Sequence, residues 1–292
     1  MRNLFSPLLS DDLAQRMLTS ELTYETATGL ALLVMASFAI FIFGEIRASR
    51  RVSSPSSVQT FARELADAPR YHQWVASVIA PFLGQEVLEI GSGLGSVARE
   101  IPPRRRYVLS DVDPRCVTAV QSLVDSRPYL TARVLDITHA VDDQAEPYDT
   151  IICLNVLEHI HDDIAALGHM FQMLRPGGRV VVLVPQHPRL YGSFDAASEH
   201  QRRYTRATLA AGLARAGFTG GQYRDFNRAA VPGWWLNSCV LQRQHFGRWQ
   251  VRVVNQCAGL LRRLDGILPW PGLSLLAVAY RPTTPEQGCG TG

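Results

Sequence analysis

The apolar positions of this chain gather into short, almost continuous runs, separated by polar stretches in which apolar residues recur at helical spacing. The runs at 86–90 (EVLEI), 107–110 (YVLS), 131–135 (TARVL), 148–154 (YDTIICL) and 179–185 (RVVVLVP) predict five strands. Between them, helices are expected from near Ser96, over 117–124 and over 164–174, and an amphipathic pattern from Val58 to about Leu83 precedes the first strand. Strands alternating with helices at this spacing imply a parallel sheet covered on both faces, a doubly wound α/β domain.

A longer apolar stretch lies upstream. Residues 27–44 (ATGLALLVMASFAIFIFG) carry no charge, and at helical rise they would reach ~27 Å, close to the thickness of a bilayer core. The acidic residues before the stretch argue against a secretory leader. Arg47, Arg50 and Arg51 follow it closely, so the positive-inside tendency would put the rest of the chain on the cytoplasmic side. The expected organisation is an N-terminal segment 1–51 with a single-pass membrane helix at 27–44, a globular domain over 52–282 and a loose tail at 283–292. The domain would then act at the cytoplasmic face of a membrane.

Composition limits the alternatives. Of 292 residues, 47% are hydrophobic and 19% charged, enough apolar matter for a sizeable core and too much for a disordered chain. All 29 basic residues are arginine, against 26 acidic ones, and no basic block marks a nucleic-acid partner. The five cysteines show no paired spacing, so neither a disulfide framework nor a metal site is expected from them.

The candidate chemistry sits at the strand ends. Glu89-Ile90-Gly91-Ser92-Gly93-Leu94-Gly95 joins the first strand to the helix expected from Ser96, and its glycines let the backbone turn sharply and approach a ligand closely. The spacing lacks the third glycine of the dinucleotide fingerprint, and no Gly-Lys-Ser/Thr comes after it to hold a nucleoside triphosphate. Asp111, at the end of the second strand, can accept hydrogen bonds from ribose hydroxyls, a role equally suited to a nicotinamide cofactor; neighbouring Asp113 is the alternative acid. Asp136 closes the third strand, where it can accept from an exocyclic amine or cap a helix, and Ile137 beside it can cover a purine face.

With the segment Asn155-Val156-Leu157-Glu158-His159-Ile160 and the turn Leu174-Arg175-Pro176-Gly177-Gly178, these residues resemble the class I S-adenosylmethionine-dependent methyltransferases. The resemblance covers roughly residues 75–185. It implies a seven-stranded Rossmann-like sheet with an antiparallel last strand, here 274–280, and S-adenosyl-L-methionine as cofactor. It also implies that Gly91, Gly93 and Gly95 run along the methionine moiety, with Glu89 and Asn155 helping to hold it. Asp111 would then grip the ribose, and Asp136 with Ile137 would contact the adenine. Glu158 and His159 would line the cofactor cleft or simply start the next helix.

Residues 186–273 form the expected substrate and lid part. After strand five the chain reads Pro185-Gln186-His187-Pro188-Arg189-Leu190-Tyr191, and then Asp195 and Glu199-His200-Gln201-Arg202-Arg203-Tyr204. This is similar to a methyltransferase subgroup with a D-x4-H-x-R-R-Y signature, often companions of glycosyltransferases, except that Glu199 stands where a glycine usually precedes the histidine. Methyl transfer to a hydroxyl requires an aligned acceptor and removal of its proton. His200 and His187 are the base candidates, with Asp195 able to orient either imidazole. Tyr191, Asp195, Arg203 and Tyr204 are the candidate substrate contacts; alternatively Asp195, His200 and Arg203 form a clamp that closes the loop. Farther on, Trp234, Trp235, Trp249 and Trp270 lie among arginines in an insertion expected to form a lid that also touches the membrane.

These features predict methyl transfer, as O-methylation, to a small-molecule, lipid or glycan acceptor. Asn155-Val156-Leu157-Glu158 lacks the arrangement that clamps a flipped nucleobase, so a nucleic-acid substrate is not expected. The competing reading is a non-catalytic, cofactor-binding scaffold of a membrane biosynthetic complex.

Overall fold

The computed structural model describes residues 68–140, 146–243 and 248–283. Contacts divide the chain into two units, of which the smaller contributes only Gly266–Pro269 to the described residues; the larger carries the fold and the candidate site. Its seven strands are β1 (Glu86–Ile90), β2 (Arg106–Asp111), β3 (Leu130–Val134), β4 (Tyr148–Leu154), β5 (Leu174–Pro185), β6 (Thr219–Phe226) and β7 (Ser274–Tyr280). They stand in the order β3-β2-β1-β4-β5-β7-β6. The first five are parallel, and β7 runs antiparallel to both β5 and β6.

The two-residue period of the strands sends alternate side chains into two separate cores. Leu88, Ile90, Ile151, Cys153, Val180 and Val182 face the helices α4 (Asp163–Met173) and α6 (Arg206–Arg215), through Leu167, Met170, Leu209 and Leu213. Val87, Tyr107, Leu109, Ile152 and Val181 face the other side. There α1 (Pro69–Ile79), α2 (Pro114–Ala119), α3 (Gln121–Asp125) and α8 (Arg248–Asp265) cover them with Trp74, Ile79, Leu123 and Leu261. Burial on both faces explains why the parallel strands read as unbroken apolar runs.

Three elements depart from expectation. The helix predicted from Ser96 shrinks to one 3₁₀ turn, Ala98–Glu100, because Pro102 and Pro103 come at once after it and disfavour helical backbone. The helix predicted over 117–124 is two short helices, α2 and α3, meeting at Val120. Strand β6 lies at the sheet edge with five of its eight residues exposed, so no apolar run announced it.

The membrane expectation is corrected. Among the described residues no helix is long and apolar enough to cross a membrane, and the predicted span at 27–44 lies outside them. A single-pass anchor and a membrane-facing domain are accordingly not carried further. The tryptophan insertion is engaged within the protein as well: Trp234 donates from Nε1 to the Leu190 carbonyl, Trp270 donates from Nε1 to the Arg228 carbonyl, and α8 packs against α1.

Candidate active site

The site forms at the carboxyl ends of the parallel strands, around the point where the order reverses between β1 and β4. After β1, Gly91, Gly93 and Gly95 all adopt positive φ, at 67°, 54° and 70°. A side chain at Gly91 would come within 2.4 Å of Val156 Cγ2, so the loop is pressed against the turn after β4. At Gly93, by contrast, a β-carbon would meet nothing within 4 Å, which leaves the middle of the loop open to a ligand.

Asp111 ties this loop down. Its Oδ2 accepts from Gly93 N–H at 2.9 Å and its Oδ1 from Asp113 N–H at 2.9 Å, leaving a lone pair on each oxygen for ribose hydroxyls. Asp113 instead caps α2, accepting from Arg115 N–H and pairing with its guanidinium. Buried Glu89 accepts from Tyr107 Oη at 2.6 Å, and desolvation, against that hydrogen bond and with help from Asp111, pushes its carboxyl up to about 7. Asp136 closes a turn by accepting from the backbone and hydroxyl of Thr138 and contacting His139; the Thr138 hydroxyl holds it below its usual range. The Ile137 side chain is buried in the core, while its carbonyl meets His169 Nδ1 at 2.8 Å. Asn155 is exposed at the end of β4 with φ 53°, its N–H donating to the Leu183 carbonyl.

The loop after β5 docks on the turn after β4. Gln201 N–H donates to the Glu158 carbonyl at 2.7 Å, Arg202 reaches the His161 carbonyl, and Tyr204 Oη donates to Asp163 at 2.7 Å and lies 3.2 Å from the Leu157 carbonyl. This brings the imidazole of His200 edge-on to that of His159, with ring centres 4.7 Å apart.

Fully buried Asp195, in the short helix α5 (Ser193–Ala197), organises the loop. Its Oδ1 accepts from His200 Nδ1 and Arg203 Nε, each at 2.8 Å, and its Oδ2 accepts from Gly192 N–H at 3.0 Å. Burial works against its ionisation, but the His200 hydrogen bond and the Arg203 charge outweigh it and hold the carboxyl below its usual range. An ionised Asp195 fixes the Nδ1–H tautomer of neutral His200 and leaves Nε2 as a proton acceptor. The Arg203 side chain is 1% exposed; it also donates to the Gln186 carbonyl and stacks 4.6 Å over Trp234, so the clamp is formed. Tyr204 is buried, and Tyr191 Oη donates to the His200 carbonyl. His187 has φ 64° and its N–H donates to the Tyr204 carbonyl; burial lowers its imidazole, with the Arg203 charge adding to this and nearby Asp225 opposing it.

Nothing in the sequence predicted the state of Glu158. Its carboxyl is fully buried, and neither oxygen has a hydrogen-bond partner. Desolvation pushes it up to about 8, its own amide and Arg203 pulling the other way. Burial, and then the neighbouring His200 imidazole, lower His159 to about 4, so it is neutral near pH 7.

A family model described as a methyltransferase domain matches residues 60–222, more than half of the chain. The chain belongs to this methyltransferase family. The ubiquinone biosynthesis O-methyltransferase of Xylella fastidiosa strain 9a5c is 26% identical to this methyltransferase over 208 residues, 70% of this chain and 78% of that protein. The corresponding protein of strain M23 is 26% identical over 201 residues, 68% and 75% of the two chains. Among solved structures, a chain from the complex of the Haloferax volcanii Trm112 methyltransferase activator aligns with TM-score 0.53 at 16% identity, covering 79% of this chain and 100% of that one. The 4+2 cyclase SpnF aligns with TM-score 0.52 at 14% identity, covering 80% and 99%. These structural likenesses establish the fold alone. The methyltransferase is an S-adenosylmethionine-dependent enzyme of class I, and it carries the motif Asp195-x4-His200-x-Arg202-Arg203-Tyr204. The open face at Gly93 and the free lone pairs of Asp111 fit that cofactor.

Proposed function

We propose that this methyltransferase methylates a hydroxyl of a small-molecule acceptor, with His200 as the base. The observation that carries the reading is the Asp195–His200 pair at 2.8 Å, held against the turn after β4, beside the strand ends that form the cofactor cleft. The bound cofactor supplies an electrophilic methyl group on a sulfonium, so the protein's part is to align the acceptor and take its proton. His200 Nε2 accepts that proton while Asp195 stabilises the resulting imidazolium, and Arg203 keeps Asp195 ionised. The relatives named as O-methyltransferases support a hydroxyl acceptor; the intact glycine loop and Asp111 speak against a non-catalytic scaffold.

The test is His200→Ala. Turnover of a phenolic or enolic acceptor should fall ~10²-fold or more, the range of general-base contributions, with calorimetric affinity for S-adenosylhomocysteine unchanged. Undiminished turnover would remove His200 from the role.

A further inference from the structure

Three side chains meet where the turn after β4 touches the loop after β5: Glu158, His159 and His200. Each offers one ligand atom, and these atoms all lie within 4.8 Å of one another. His200 Nδ1 is hydrogen-bonded to Asp195 Oδ1, which leaves its Nε2 to act as a ligand. The Glu158 carboxyl is fully buried with neither oxygen partnered. A cation held among the three side chains would give that carboxyl the partner it lacks.

We propose that Glu158, His159 and His200 bind one divalent transition-metal ion, zinc-like in its preference, and that the ion inhibits methyl transfer by occupying His200 Nε2. Two neutral imidazoles and a carboxylate are the donor types such an ion selects. The Asp195 carboxylate behind His200 is the arrangement that orients metal-bound histidines and strengthens them as donors. Zinc makes bonds of ~2.0–2.2 Å to such ligands, so the three atoms would close in from their present spacing on binding. The cysteines gave no hint of this site, because its ligands come from two loops joined only by the fold. The inhibitory half rests on the assignment of His200 as base; the binding half does not.

Chelator-washed full-length protein is titrated with Co²⁺ and then Zn²⁺, following the visible absorption of bound cobalt and, separately, turnover. The proposal expects one Co²⁺ per chain, displaced by Zn²⁺, with turnover falling in step with occupancy and returning on chelation. Glu158→Gln and His159→Gln should each weaken metal binding tenfold or more and keep wild-type affinity for S-adenosylhomocysteine, which shows that the variants fold. No saturable binding, or equal affinity in wild type and both variants, overturns the site. Site-dependent binding that raises turnover overturns the inhibitory half and the assignment of His200 as base, while the site itself stands.

Discussion

The Asp195–Arg203 pair offers the sharpest test of how the loop after β5 is held. Both side chains are essentially inaccessible to water, at 0% and 1% exposure, and Nε and Oδ1 are 2.8 Å apart. At the effective dielectric of about 20 suited to such sites, a pair at ~4 Å between charge centres is worth ~4 kcal/mol of Coulomb energy. Most of that offsets desolvation, but removing one partner strands the other. Arg203→Met keeps an apolar stem under Trp234 and leaves Asp195 to His200 and Gly192 alone; Asp195→Ala leaves the guanidinium with only the Gln186 carbonyl. Each single change should cost ~3–5 kcal/mol, the usual penalty for an uncompensated buried charge. The double variant removes both charges, so it should be more stable than the sum of the singles by ~2–3 kcal/mol. Urea denaturation followed by circular dichroism, extrapolated linearly to water, measures all four corners of the cycle. Additivity within ~0.5 kcal/mol would show that the pair does not hold the loop.

Backbone geometry and burial set three further outcomes. Gly91→Ala should destabilise by more than the ~1–2 kcal/mol of left-handed strain, since its β-carbon strikes Val156, whereas Gly93→Ala should cost only that strain. Gly93→Ala should nevertheless weaken S-adenosylhomocysteine binding; thermal melts and calorimetry separate the two. Glu199→Gly should stabilise by ~0.5–1 kcal/mol in urea titrations, because exposed Glu199 sits at φ 58°. Glu89 keeps its proton in the folded chain to about pH 7, against 4.5 for the ordinary group, so its contribution to stability is full below pH 4.5 and is lost as pH rises to about 7. Relative to Glu89→Gln, the wild type should lose on the order of 3 kcal/mol across that window, and parallel pH curves for the two proteins would refute the assignment.

The strands were legible where burial on both faces forced an apolar run: β1 and β4 match their predicted bounds to the residue, and β7 matches the bounds that the family resemblance implied. β6 was not, because an edge strand with an exposed face needs only main-chain pairing to β7. The glycine loop and Asp111 were legible as chemistry, since positive φ and a strand-end carboxylate leave residue-type signatures. The state of Glu158 was not: a glutamate beside a histidine after an apolar strand reads as an ordinary helix start, and only tertiary packing strips its oxygens of partners. Glu199 shows the converse. The departure from glycine in the sequence leaves the backbone at φ 58°, so the loop absorbs the strain and the turn survives.

The polar residues after β5 have the composition of a substrate-binding set, yet the structure spends them on one another. Arg203 is consumed by Asp195 and the Gln186 carbonyl, Tyr204 by Asp163, Tyr191 by the His200 carbonyl, and Arg202 by Asp163 and the His161 carbonyl. Each of these contacts grips the turn after β4, braces the residue that orients His200, or holds His200 itself. On the proposed role of His200 as base, the signature presents a single nitrogen, His200 Nε2, at a fixed place relative to the strand ends. A base fixed this way serves any acceptor whose hydroxyl can be brought to it. On that proposal the choice of acceptor would belong to surfaces outside the motif, and one such surface is the segment that begins at Trp234 and packs over α5 through Ser238, with Trp235 half exposed beside it. Substitutions at Trp235 should therefore change which acceptor is used, while substitutions inside the motif should lower turnover of all acceptors alike.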